Sequence, residues 1–110
     1  MMRRIVAVNT WRIAPGRLPE ALGFAETSSK IHERLGARPG TLVPIAGGDP
    51  NTLVYTLEFD DIEAYGKFSA KILEDAEWNT LFKGMLSAIQ ENPGTELVST
   101  TLLSEPWIPS

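Results

Sequence analysis

The longest periodic pattern in the chain lies between residues 60 and 89, where apolar side chains recur at steps of three and four. In its first half Ile62, Tyr65, Phe68 and Ile72 fall along one side of a helix and leave Glu63, Lys67 and Lys71 in water; in its second half Trp78, Leu81, Phe82, Met85 and Ile89 do the same. Asp75, between the two, is a good N-cap, and Glu77 suits a first helical turn, so the pattern predicts a break or kink rather than one straight rod. Asp60 with Glu63 three residues on predicts a capping box at the start. A second helix is expected from residue 18 or 19 to 35: Pro19 and Glu20 suit its first turn and Gly36 stops it. At about 100° per residue this helix gathers Leu18, Ala21, Ala25, Ser28, His32 and Leu35 on one arc, with Phe24 at its margin. His32 is therefore expected on the core side.

Four strands complete the pattern. Residues 5–13 are rich in β-branched side chains and end at Pro15-Gly16; Ile5, Ala7, Asn9, Trp11 and Ile13 share one side, Val6 and Val8 the other. Residues 41–46 predict a short strand broken by Pro44, which has no N–H for a ladder and so belongs at an edge or a bulge. Gly47-Gly48-Asp49-Pro50-Asn51 is a hairpin turn, and residues 52–59 alternate cleanly, with Leu53, Tyr55, Leu57 and Phe59 on one face. Asn92-Pro93-Gly94 turns the chain into a last strand, 95–103.

The order strand, helix, strand, strand, helix, strand predicts an α+β, ferredoxin-like βαββαβ fold with a four-stranded antiparallel sheet, the second strand at an edge, and helices on one face. The opposite face then exposes Val6, Val8, Val54, Val98 and Leu102, with Trp107 in the tail. A connected apolar patch of that kind predicts a homodimer packed sheet to sheet. The alternative is a monomer whose tail folds back over the sheet.

Composition narrows the function. The chain has 110 residues, 43% of them apolar and 22% charged, an ordinary globular composition for a single domain spanning 1–110. Fourteen acids against ten bases give a net charge of -4, which argues against nucleic acid or an anionic membrane as the main partner. No cysteine is present, so disulfides, thiolate metal sites and a cysteine nucleophile are excluded; a single His argues against a transition-metal site. Arg3 and Arg4 precede a short apolar run, but Asn9 and Arg12 interrupt it, and no stretch approaches the roughly 20 apolar residues that span a bilayer. A cytoplasmic protein is expected.

Asn9, Trp11, His32, Tyr55, Tyr65, Trp78 and Phe82 are placed to line a cavity between sheet and helices, suited to a small hydrophobic aromatic ligand. The competing reading is that the aromatics fill the core and that His32 is a buried imidazole bonded to main chain or a serine. Asn9 is the sharpest candidate, since an amide in mid-strand needs hydrogen bonds if buried. His32 is the candidate general base, because an ordinary imidazole pKa of about 6.5 permits proton abstraction near neutrality. Trp11 and Asn9 would orient the ligand. Gly47-Gly48-Asp49 is not a phosphate loop, for it joins two strands and has no nearby Lys.

Four pieces of sequence resemble the NIPSNAP-like members of the dimeric α/β-barrel superfamily, related to antibiotic-biosynthesis-type monooxygenases. They are Arg12-Ile13-Ala14-Pro15-Gly16-Arg17-Leu18, the helix end Ile31-His32-Glu33-Arg34-Leu35-Gly36, the segment Asp75-Ala76-Glu77-Trp78, and the closing strand leading into Pro106-Trp107. The resemblance implies a ferredoxin-like subunit, a dimer, and a pocket between sheet and helices. It places Asn9 where cofactor-independent monooxygenases of the superfamily carry a functional Asn. The pattern of the haem-degrading members is not matched: no Trp ends the third strand, where Leu57-Glu58-Phe59 stands, and no His lies on the second helix. Two expectations remain. One is a cofactor-independent oxygenase or isomerase using Asn9, Trp11 and His32. The other is a non-catalytic dimeric module that binds a small molecule or a protein.

Overall fold

The structure, a computed structural model, describes residues 3–106. Its elements run β1 (Ile5–Arg12), α1 (Leu18–Arg34), β2 (Arg38–Leu42), β3 (Thr52–Phe59), α2 (Ile62–Glu74), α3 (Ala76–Glu91) and β4 (Glu96–Ser104). The strands form one antiparallel sheet in the order β2-β3-β1-β4, so β1 and β3 are central as the ferredoxin-like reading requires.

β3 shows how the alternation is used. Leu53, Tyr55, Leu57 and Phe59 are buried beneath the helices, and Val54, Thr56 and Glu58 face the opposite side. The register pairs Ile5 with Phe59, Ala7 with Leu57, Asn9 with Tyr55 and Trp11 with Leu53, which extends the same inner face across β1. The tightest core lies at the Phe59 end: Phe59 is 1% exposed, and its ring meets Tyr65 at 5.3 Å and Phe68 at 5.0 Å between centroids. α2 thus closes one end of the sheet with packed aromatics.

Three local expectations need correction. β2 occupies Arg38–Leu42 rather than 41–46, and Pro44 lies in the loop beyond it. Arg38 reaches Asp60 at 2.8 Å and Glu58 at 3.2 Å, which anchors the start of the strand three residues earlier. Pro39 is accommodated because β2 is an edge, and at Gly40 a Cβ would stand 2.7 Å from the Thr56 hydroxyl. The cap of α2 is Asp61, whose carboxylate accepts the Ala64 N–H at 2.8 Å, while Asp60 is engaged with Arg38.

The third correction concerns the bare face. Leu102 pairs with Ala7 and Leu97 with Trp11, so both belong to the helix side. A bulge opposite Thr10 and Trp11 leaves Val98 as the extra residue and reverses the parity of the strand, so that Leu103, opposite Val6, takes the place expected of Leu102. The outer face therefore carries Val6, Val8, Val54, Leu42 and Leu103 among Thr10, Thr56 and Thr101. Trp107, expected on this face, lies outside the described residues.

The predicted break between the last two helices is present. Asp75 ends α2 and caps α3, its carboxylate accepting the Trp78 N–H at 2.8 Å. The same carboxylate takes both of its oxygens to Arg34 at 2.9 and 3.0 Å, and Arg34 also meets Glu77 at 3.1 Å. The end of α1 is thereby tied to the start of α3.

Candidate functional site

α3 carries an apolar stripe, yet none of its residues is buried. The stripe is turned toward space rather than toward packed side chains. That space is a cavity of about 340 Å³, open to solvent, between α1, α3 and the inner face of the sheet. Ala21, Phe24, Ala25, Ser28 and His32 form its α1 wall, at the helical spacing that the sequence arc predicts. Trp78, Phe82, Met85 and Ile89 form the α3 wall, and Asn9, Trp11, Leu53, Tyr55 and Leu57 form the floor.

The cavity follows α1 from Arg17 to His32, about 22 Å along the helix axis. Its two ends differ. Arg17 pairs with Glu20 at 3.1 Å near Asn92 and Thr95, which makes a polar, charge-balanced end. His32, Tyr55 and Trp78 form the other, with His32 only 4% exposed and its ring 4.6 Å from that of Trp78.

The His32 ring is held by Tyr55. Nδ1 lies 2.6 Å from the Tyr55 hydroxyl oxygen, while Ser29 Oγ is 3.4 Å from that oxygen and donates to the Ala25 carbonyl at 2.8 Å. The 2.6 Å contact is a hydrogen bond in either tautomer of His32; with the Ser29 proton so placed, we assign the Tyr55 proton to His32 Nδ1 on the relative donor strengths of the two groups. A phenol O–H is a better donor than a neutral imidazole N–H. The ring proton is then on Nε2. Burial pushes the imidazole down from 6.5 to about 4, and burial raises the Tyr55 phenol against the opposing effect of Ser29. Both partners are neutral at physiological pH. Nε2 has no hydrogen bond among the described residues, and because no fully enclosed side-chain nitrogen or oxygen among them lacks a partner, it is not sealed off, on a residue that lines the cavity.

The assigned tautomer bears on the chemistry open to His32. An imidazole with an ordinary pKa would be a general base; a neutral imidazole presenting Nε2–H to the cavity is a hydrogen-bond donor that polarises an oxygen. The main-chain bond of the competing reading is not present: the partner is a phenol.

Asn9 donates through Nδ2 to the Tyr55 carbonyl at 3.2 Å and accepts the Thr100 hydroxyl on Oδ1 at 2.9 Å. One N–H of its amide remains for a ligand or water in the cavity that it lines. Of the other residues singled out in the sequence, Trp11, Tyr55, Trp78 and Phe82 line the cavity with Asn9 and His32. Tyr65 does not; its ring packs edge-on against Phe59 in the core. Ser28, Phe24 and Met85 were not separable from core positions by periodicity, although all three sit on the predicted apolar arcs. Among the described residues no group of His, Cys, Asp and Glu is arranged to hold a metal ion, and no helix is long and apolar enough to cross a membrane.

No protein-family model matches the sequence, and no curated protein does. Solved structures match over nearly the whole chain. A NIPSNAP family protein of unknown function from Agrobacterium tumefaciens superposes with a TM-score of 0.66 at 17% identity, covering 93% of this chain and 87% of that one. An uncharacterised NIPSNAP domain protein from Burkholderia xenovorans gives 0.66 at 19% identity, covering 96% and 94%. A provisionally assigned antibiotic biosynthesis monooxygenase from Nitrosomonas europaea gives 0.61 at 9% identity, covering 93% and 89%. At such identities the likeness speaks for the fold alone. The chain has the ferredoxin-like fold of the NIPSNAP family proteins and of the monooxygenase-like proteins built on the same plan.

Proposed function

We propose that the protein is a cofactor-independent enzyme, of oxygenase or isomerase type, acting on a small hydrophobic aromatic compound in the cavity between α1, α3 and the sheet. The observation that carries this reading is spare hydrogen-bonding capacity on two polar side chains that line an open, mostly apolar cavity: no described residue bonds His32 Nε2, and one N–H of the Asn9 amide is unused. Such donors in a partly dry site stabilise negative charge on oxygen, which builds up when a carbonyl compound enolises or a phenol ionises and passes its proton to water admitted through the open side of the cavity. Either event prepares a substrate for isomerisation or for reaction with dioxygen. His32 and Asn9 are the proposed catalytic pair, and Trp11, Tyr55, Trp78 and Phe82 shape the binding surface. The monooxygenase-like fold neighbours fit this reading.

The test is turnover of a panel of aromatic ketones and phenols, followed by oxygen uptake and mass spectrometry of products. His32→Phe, which keeps a ring against Phe68 and Trp78, and Asn9→Ala are each expected to abolish turnover. Undiminished turnover in both variants would remove these roles and favour the non-catalytic binding module.

The outer sheet face supports a second copy of the chain as its cover. Val6, Val8 and Val54 stand on central strands with no layer of the described residues above them, in a molecule only 18 Å through its thinnest dimension. Strands of eight, five, eight and nine residues present roughly 500 Å² per subunit, near the lower bound for a stable pair. Light scattering on the native chain should report a dimer, and Val8→Lys a monomer; a monomeric native chain at micromolar concentration removes the dimer.

A further inference from the structure

A further polar side chain in the cavity has no hydrogen-bond partner among the described residues. Ser28 stands one turn before His32 on α1, is 8% exposed and lines the cavity. Its neighbours Thr27 and Ser29 return their hydroxyls to carbonyls four residues earlier, to Gly23 at 3.2 Å and Ala25 at 2.8 Å. The Ser28 hydroxyl makes no such bond among the described residues, and it is not sealed off, because no fully enclosed side-chain oxygen lacks a partner. Side chains four apart on a helix have Cβ atoms about 6 Å apart, so one acceptor atom can sit between their tips.

We infer that Ser28 Oγ–H and His32 Nε2–H form a two-donor clasp for a single carbonyl oxygen of the ligand, which makes the ligand a neutral hydrophobic ketone. The inference rests on the reading of the cavity as a ligand site. Tyr55 fixes the tautomer that makes His32 a donor, and the serine hydroxyl rotates to match it. A carboxylate is disfavoured at this position. The cation on the cavity wall, Arg17, is about 16 Å along α1 from Ser28 and about 22 Å from His32, and is paired with Glu20. A hydrocarbon is disfavoured for the opposite reason, because it leaves two buried donors unpaired. The carbonyl therefore sits at the His32 end, with the apolar body lying toward Phe24 and Met85.

Equilibrium dialysis with 9-fluorenone, fluorene and fluorene-9-carboxylate tests this with three molecules of one shape. The ketone should bind roughly tenfold more tightly than the hydrocarbon, and the carboxylate most weakly. Ser28→Ala, a substitution that favours the helix, should weaken the ketone roughly fivefold and leave fluorene no weaker. The carbonyl stretch of bound 9-fluorenone should lie at lower frequency than in hexane and move back toward the hexane value in Ser28→Ala. Equal affinity for ketone and hydrocarbon, or an unchanged ketone affinity and stretch in Ser28→Ala, overturns the clasp and leaves the cavity reading standing. Binding of none of the three overturns both.

Discussion

Replacing Tyr55 with Phe removes one hydroxyl and leaves the buried ring where it is, so it isolates the bond that orients His32. The ring is 8% exposed in mid-sheet and the hydroxyl lies 2.6 Å from Nδ1, whereas the Ser29 contact at 3.4 Å adds little. Losing the bond leaves a buried ring nitrogen unpaired, at a cost of about 1–3 kcal/mol. For a domain of this size that is a fall in Tm on the order of 5–15 °C. A double-mutant cycle with His32→Phe separates the pair from its surroundings: if the hydroxyl acts through the imidazole, the two losses should fall short of additive by about 1 kcal/mol or more. Differential scanning calorimetry on the four proteins supplies the numbers. Additive losses, or a Tyr55→Phe variant as stable as the parent, would refute the assignment of the Tyr55 proton to His32.

Stability should also fall in mild acid for a stated reason. Between about pH 6.5 and 4 the unfolded chain takes up a proton at His32 that the fold refuses, so stability is full above that window and declines as pH drops through it. The whole shift corresponds to on the order of 3 kcal/mol, an upper bound because the cavity admits water. Urea midpoints across this range should slope more steeply for the native protein than for His32→Phe; equal slopes would contradict the desolvated imidazole. Gly94→Ala should cost about 1–3 kcal/mol, because φ is +121° and a Cβ would stand 3.1 Å from that of Ala14. Gly16→Ala, at φ +82° with open space around it, should cost less, and the difference in urea midpoints reports the close contact. Asp75→Ala removes the cap of α3 and its tie to Arg34 together, so hydrogen exchange at the Trp78 and Asn79 amides should quicken while that of β3 holds. Unchanged protection in α3 would show that the helix is held elsewhere.

Much of this fold is legible because its signals are periodic. The alternation from Leu53 to Phe59 and the arc from Leu18 to Leu35 each fix a face, and Asp75 announces the break between α2 and α3. β2 is not legible: Arg38-Pro39-Gly40 has the composition of a turn, and only the partners Glu58 and Asp60 across the edge make it a strand. The face of Leu102 is not legible either, since a single bulged residue at Val98 reverses a whole strand.

At the site, the residue types were visible before their roles. Periodicity puts His32 on the inner arc, but whether the ring accepts or donates depends on Tyr55, 23 residues away and brought near by the sheet. Ser28 illustrates the same limit, for nothing local distinguishes a hydroxyl facing a cavity from one bonded to its own helix, as Ser29 is. A cavity is a property of what two elements fail to fill. The half-exposed stripe on α3 reveals it only when the opposite wall is in place.

Because the chain has one histidine, nitrogen NMR of the imidazole reads the state of His32 without assignment. With Tyr55 donating to Nδ1 in a desolvated site, the ring should carry its proton on Nε2 through neutral pH, titrate only near pH 4, and shift its Nε2 resonance when 9-fluorenone is added. A midpoint close to 6.5, or a proton found on Nδ1, would contradict the donor role on which the site is built.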